Sequence, residues 1–182
     1  LGGVHLLDEA SGEYNRAYIR KYIPEGGVRL VRCVRRSQGL MVAKDNPLGI
    51  KRIEDLPRLR YVNRQKGSGT RILLDYLLKQ AGLNSEGIKG YEREEITHTA
   101  VAAAVAAGSA DAGMGILAAA RIYDLDFIPI CEEEYDFLIA AESQDHPQFQ
   151  RFMQILRSEE LARRLEAMGG YKLDRPGEPI EL

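Results

Sequence analysis

The chain has 182 residues, 45% of them hydrophobic and 29% charged, and a formal net charge of −2. That length suits one domain or two small lobes sharing a core, and the composition is that of an ordinary globular protein. A near-neutral charge without a basic stripe gives no ground for nucleic-acid binding by this segment, and the Ala-rich apolar runs are far too short to cross a bilayer.

The chain opens at Leu1-Gly2-Gly3-Val4-His5, without a methionine and without a charged n-region followed by an apolar h-region. Such a start reads as a piece of something longer. Gly3 to Leu7 is expected to form a short buried strand ending at Asp8. Residues 13–23 have helical spacing, with Tyr14, Tyr18, Ile19 and Tyr22 on one side, and Pro24 with Gly26-Gly27 stops them. Residues 28–43 alternate with period two and read as a long strand. Asn46-Pro47-Leu48-Gly49 is a turn, and Ile53 to Leu56 suits one helical turn before Pro57.

From Tyr61 strands and helices alternate. Strands are expected at 61–62, 88–91, 112–116 and 127–130, and helices at 70–81, 97–107 and 117–123, the first two ended by Gly82 and Gly108. Short connections between such elements imply right-handed βαβ units on a parallel sheet. A further strand at 135–140, helices at 146–156 and 158–168, and a polar tail complete the chain. Cys33 and Cys131 stand in separate apolar runs with neither zinc spacing nor a CxxC pair. Buried free thiols in a cytoplasmic protein are the expectation.

In an open parallel sheet, ligands bind beyond the carboxyl ends of the strands. Three loops sit there: 63–70, 92–98 and 115–118. The first, within Asn63-Arg64-Gln65-Lys66-Gly67-Ser68-Gly69-Thr70-Arg71, is not a nucleotide phosphate loop, because Lys66 precedes the glycines and no lysine follows Gly69. It still suits an anion. Gly67 and Gly69 allow a tight turn, Ser68 and Thr70 supply hydroxyls, Arg64 and Arg71 supply charge, and the backbone N–H groups open a helix. Helix capping alone explains one hydroxyl but not two glycines and flanking arginines. In the second loop Thr97 or Thr99 suits an N-cap, and His98 is a ligand contact rather than a catalyst. In the third, Gly115, like Gly113, permits close approach either of a ligand or of a neighbouring backbone. No nucleophile with a neighbouring base, metal-ligand spacing or cofactor fingerprint is present, so no catalytic residue, metal or cofactor is expected.

The stretches GVHLLD (3–8), RSQGLMVAKDNPLGI (36–50), YVNRQKGSGTRILLDYLL (61–78), GYEREEITHTAVAAAVAAGSADAGMGI (90–116) and LDFIPICEEEYDFLI (125–139) together resemble the type II periplasmic-binding-protein fold. The resemblance is to its cytoplasmic form, found fused to helix-turn-helix regulators and to molybdopterin-assembly (molybdenum-insertion) proteins, and it runs over nearly the whole chain. It implies an α/β protein of two lobes with mainly parallel sheets flanked by helices. Residues 44–130 would form the second lobe, and residues 1–43 with 131–182 the first, with a ligand held between them and hinges near 41–46 and 130–135. Relatives in molybdate uptake bind oxyanions through hydroxyls and backbone N–H groups, roles that Ser68, Thr70 and Thr97 would take here. The resemblance also implies a second set of ligand residues, His5, Asp8, Arg36, Gln38 and Tyr135 from the first lobe and Glu94 from the second.

The family's first lobe opens with a further β-α-β-α segment before the GVHLLD strand. Without it the first lobe is N-terminally truncated and exposes a sheet edge, which a second copy of the chain or a segment outside these residues would pair. The expected function is a non-catalytic sensor of an oxyanion such as molybdate or tungstate, or of another small anionic metabolite. It would serve molybdenum-cofactor metabolism or transcriptional regulation, with a helix-turn-helix or molybdopterin-enzyme domain elsewhere in the protein. The alternative is an accessory or catalytic part of a molybdopterin-biosynthesis transferase, with Glu94 and His98 as an acid–base pair.

Overall fold

A computed structural model describes residues 1–182. In chain order the elements are β1 (Gly2–Val4), α1 (Arg16–Tyr22), β2 (Val28–Val42), β3 (Tyr61–Arg64), α2 (Gly69–Gln80), β4 (Glu94–Glu95), α3 (His98–Ala106), β5 (Ala112–Ile116), α4 (Leu117–Ile122), β6 (Asp126–Ala140), α5 (Pro147–Leu156), α6 (Glu159–Met168), β7 (Tyr171–Lys172) and β8 (Pro179–Ile180). A 3-10 helix at Ile53–Arg58 precedes β3. Residues Leu1–Arg36 with Glu133–Leu182 form unit 1, and Ser37–Glu132 form unit 2.

In unit 2 the end of β2 pairs antiparallel with β5, from Gln38 opposite Ile116 to Val42 opposite Ala112. Strand β3 is parallel to β5 on one side and to β4 on the other. Val62 and Met41 from the sheet pack with Val101, Ala102, Val105, Ala119 and Ala120 from α3 and α4. The small side chains of α3 let it lie close to the sheet: a methyl group on Gly113 would sit 2.9 Å from Val62 Cγ1 and would collide with Val101. The alanine-rich composition of α3 and the glycines of β5 are therefore two halves of one packing solution. On the side chain of Tyr61, fully buried at the start of β3, the hydroxyl accepts from the Met114 backbone at 3.1 Å.

In unit 1, β1 runs antiparallel to β6, while β7 and β8 pair antiparallel with β2. Strands β6 and β2 are neighbours in the sheet. Helices α5 and α6 bring Phe149, Phe152, Met153, Leu156, Leu161 and Leu165 against Val31, Cys33, Val34 and Ile139. Both helices start at side-chain caps, with His146 Nδ1 accepting from Gln148 N and Ser158 Oγ from Leu161 N. Below α1, Asn15 donates to the buried Asp136 at 2.9 Å and Cys33 N donates to the same carboxylate at 3.3 Å.

The structure departs from the sequence reading in four places. Residues 88–91 are turns rather than a strand; Gly90 takes φ +89°, and the ladder forms later, at Glu94–Glu95. The reason is visible in the backbone bonds Tyr61 N to Lys89 O and Asn63 N to Arg93 O, which carry the chain along β3 around a turn. The strands expected at 127–130 and 135–140 are one strand, because the intervening acidic run does not break it: Glu133 bonds to Arg36 and Glu134 to Arg35. The polar tail supplies β7 and β8. Parallel pairing is confined to β4, β3 and β5, and the sheet is mixed.

Candidate functional site

Because β3, β4 and β5 are parallel, the helices that follow them, α2, α3 and α4, all begin at one edge of unit 2. The side chains at that edge are held from within the unit. Asn63, buried at the end of β3, donates to Tyr91 O at 3.0 Å and accepts from Arg64 N at 2.9 Å. Arg64 then reaches across to the segment before α3, its Nη2 donating to Ile96 O at 2.8 Å and its Nε to Glu95 O at 3.3 Å. The glycine loop is thereby tied to the loop that opens α3.

Gly67 has φ +84° and open space around it. Ser68 caps α2, its Oγ accepting from Arg71 N at 3.2 Å. Gly69 and Thr70 open the helix and are buried, Thr70 to 1% exposure. The Thr70 hydroxyl accepts from Gln38 Nε2 at 3.0 Å, and Gln38 is itself fully buried in β2 beside the end of β5. A hydroxyl has one proton, so an oxygen that accepts from Gln38 keeps that proton for another acceptor. Thr97 caps α3, accepting from Ala100 N at 3.0 Å, with Thr99 Oγ1 3.0 Å from its own Oγ1. His98 Nδ1 would stand 3.3 Å from a methyl placed on Gly115, and Met41 Cε 2.6 Å, so glycine there leaves room for the imidazole.

Neither α2 nor α3 carries an acidic residue in its first turn, whereas α6 carries Glu159 and Glu160. No acidic side chain of the first turns themselves offsets the partial positive charge of the two helix starts, which favours a negatively charged group there.

The structure brings Arg64, Gly67, Ser68, Gly69, Thr70, Thr97, His98 and Gly115 to this edge, through the helix starts and strand ends that carry them. Arg71 has a different placement. Its side chain is 5% exposed, stacks at 4.2 Å over Tyr91, and donates to Asp75 at 3.0 Å and to Glu94 at 3.2 Å. Its charge pins α2 to the 91–94 segment, and the Glu94 carboxylate is engaged in the same contact. Gln38 belongs to unit 2, not with the residues of unit 1.

In unit 1, His5, Arg36 and Tyr135 gather around Glu133, which sequence reasoning did not single out. Arg36 Nε bonds to Glu133, His5 Nδ1 lies 3.5 Å from its other oxygen, and His5 and Arg36 both lie against the Tyr135 ring at 5.3 and 4.8 Å. Glu133 sits in a run of three glutamates, which in sequence looks like a solvated face, yet β6 buries it along with Asp136 and Ile139, at a spacing of three rather than two. Asp8 closes its own turn, accepting from Ser11 N and Oγ, and these bonds hold its carboxyl below the usual range. No helix is long and apolar enough to cross a membrane.

Among curated proteins, the uncharacterized protein YvgK of Bacillus subtilis (strain 168) is 36% identical over 179 residues, which is 97% of this chain and 58% of that protein. The chain thus spans about three fifths of that relative's length. Two solved structures share the fold at low identity. PEB3 bound to L-phospholactate has a TM-score of 0.59 at 20% identity, covering 80% of this chain and 68% of that one. The substrate-binding domain of a putative molybdenum ABC transporter from Clostridium difficile has a TM-score of 0.57 at 15% identity, covering 87% and 73%. A family profile for the PBP superfamily domain matches residues 1–157, and the chain belongs to that family of periplasmic-binding-protein-like, ligand-binding domains.

Proposed function

We propose that the chain is a non-catalytic sensor domain for a small oxyanion of the molybdate and tungstate type, held at the shared edge of α2 and α3. The observation that carries this reading is the start of α2, where Ser68, Gly69 and Thr70 open a helix free of acidic residues in its first turn and Gln38 leaves the Thr70 proton for an acceptor. Two structural neighbours support an anion: one was solved with L-phospholactate, and the other belongs to a putative molybdenum transporter. In this reading the domain works in the cytoplasm, within a transcriptional regulator or beside a molybdopterin-assembly enzyme.

Thermal unfolding against molybdate, tungstate, sulfate, phosphate and nucleotides tests it. Ligand at about 100 times its dissociation constant stabilises a one-site protein by about 2.7 kcal/mol. For a chain of this size that corresponds to roughly 5 to 10 °C. Molybdate and tungstate should give such a shift, and Thr70→Val with Ser68→Ala should abolish it. A protein whose unfolding temperature moves with none of these anions is not an oxyanion sensor.

A further inference from the structure

A cavity in unit 1 has no part in that edge. It has a volume of about 210 Å³ and opens between the start of β2, the end of β6, helix α5 and the chain tail at Gly177 and Pro179. Val31 from β2, Ile139 from β6 and Met153 from α5 make an apolar base, and each is more than nine-tenths buried. Phe149 and Met153 lie four residues apart on α5, and Arg157 at its C-cap four further on. One face of the helix therefore brings a ring, a thioether and a guanidinium to the same space.

The walls are fixed from within unit 1. Arg157 Nη2 donates to Gly177 O at 2.8 Å, which engages one of its five N–H donors. Gly177 takes φ +82°, and a methyl group there would stand 2.7 Å from Arg157 Nε, so glycine lets the guanidinium lie against the tail. Gly177 N donates in turn to Arg32 O at 2.8 Å, and β8 sets Pro179 opposite Val31. Gln150 Nε2 donates to Gln144 O at 2.8 Å, which ties α5 to the turn before it.

The charges select the ligand. Arg29 is the second cation of the lining, and no acidic residue lines the cavity. Further along β2, Arg32, Arg35 and Arg36 are each paired with a carboxylate, as Arg29 and Arg157 are not. Guanidinium groups match a planar carboxylate through paired N–H donors. A bare, hydrated inorganic anion would leave the apolar base without a partner. The volume lies below that of cavities which enclose drug-sized molecules, so the apolar part must be small. We propose that unit 1 carries a second binding site, for a small carboxylic acid with an aromatic or branched apolar body. Arg29 and Arg157 take the carboxylate, and Val31, Ile139 and Met153 take the body. The proposal is independent of the oxyanion site on unit 2.

Methyl NMR of the 182-residue chain, titrated with benzoate, tests it, with benzamide as the uncharged counterpart and inorganic phosphate as the bare anion. Benzoate should shift the methyl resonances of Val31, Ile139 and Met153 saturably, with a dissociation constant of about 10 µM to 1 mM, the range for so small a ligand. Benzamide should bind at least about tenfold more weakly, and phosphate should leave these methyls unmoved. Arg29→Gln, at an exposed position, should keep the unfolding temperature and weaken benzoate about tenfold. Ser68→Ala with Thr70→Val should leave benzoate binding unchanged. No shift of the three methyls at about 10 mM benzoate overturns the proposal. So does benzamide binding as tightly as benzoate, phosphate competing with it equally, or an Arg29→Gln chain that binds benzoate as the native one does.

Discussion

Gly113 and Gly67 show two separate reasons for a glycine. At Gly113 the backbone is ordinary, but a methyl group has nowhere to go between Val62 and Val101. At Gly67 space is open, but φ is +84°. Gly113→Ala should therefore act by overpacking, at a cost of about 1 to 3 kcal/mol. Gly67→Ala should act by backbone strain, at about 1 to 2 kcal/mol. Urea unfolding separates them: Val101→Ala made together with Gly113→Ala should recover part of the loss, and no repacking should recover Gly67→Ala. Equal recovery in both would show that the close approach of α3 to β5 is not what forbids a side chain at 113. The caps at Ser68 and Thr97 could be read from local pattern alone, since a cap is a matter of neighbours in sequence. The Gln38 amide on Thr70 could not, because it joins residues that only the pairing of β2 with β5 brings to one edge.

At the scale of elements, the parallel strands β3 and β5 are fastened at the end opposite the site. Arg60 N donates to the Asp111 carboxylate at 2.7 Å, its guanidinium adds side-chain bonds at 3.1 and 3.2 Å, and Asp111 N donates back to Arg60 O at 2.7 Å. The Arg60 side chain is the largest cause holding the Asp111 carboxyl below its usual value near 3.8. A group whose pKa is lower folded than unfolded stabilises the fold above the unfolded value and ceases to do so as pH falls through the folded one. Asp111→Asn should thus lower the urea midpoint at pH 7, and the gap to the native chain should shrink once pH falls below about 4, the unfolded aspartate range. A gap that is constant with pH would mean that the hydrogen bonds act without the charge. Helices α2 and α3 were legible from their caps and from Gly82 and Gly108, both at positive φ after the last turn. The turn at 88–91 was not legible, since its apolar ends look like a strand until the bonds to β3 are known. Arg71 illustrates the same limit: its position beside the glycine loop suggests a ligand, and only the fold shows Tyr91, Asp75 and Glu94 around it.

On the scale of the whole molecule, unit 2 is one uninterrupted stretch set between Arg36 and Glu133 of unit 1. Its pairings β2–β5, β5–β3 and β3–β4 and its three helices all come from residues 37–132. That is within the size range of independent domains. Residues 37–132 expressed alone should therefore unfold cooperatively on heating, with dispersed amide resonances beforehand. A broad, non-cooperative transition would show that the long strands need their unit 1 halves. The α/β class was readable from the alternation of elements and the family from the resemblance of the quoted stretches, whereas the antiparallel pairing of unit 1 was not, because β7 and β8 come from a tail with no strand pattern.

The pairing of Arg36 with Glu133 has a mechanical meaning. These are the residues at which the chain leaves unit 1 and returns to it, they bond to each other on neighbouring strands, and the glutamate is almost wholly buried. Both chain ends belong to unit 1. Tension applied to those ends runs through unit 1 and across that junction, so the inserted unit carries no load while the junction holds. Rupture would come in a fixed order, unit 1 first, and only then would the helix starts of α2 and α3 feel the pull.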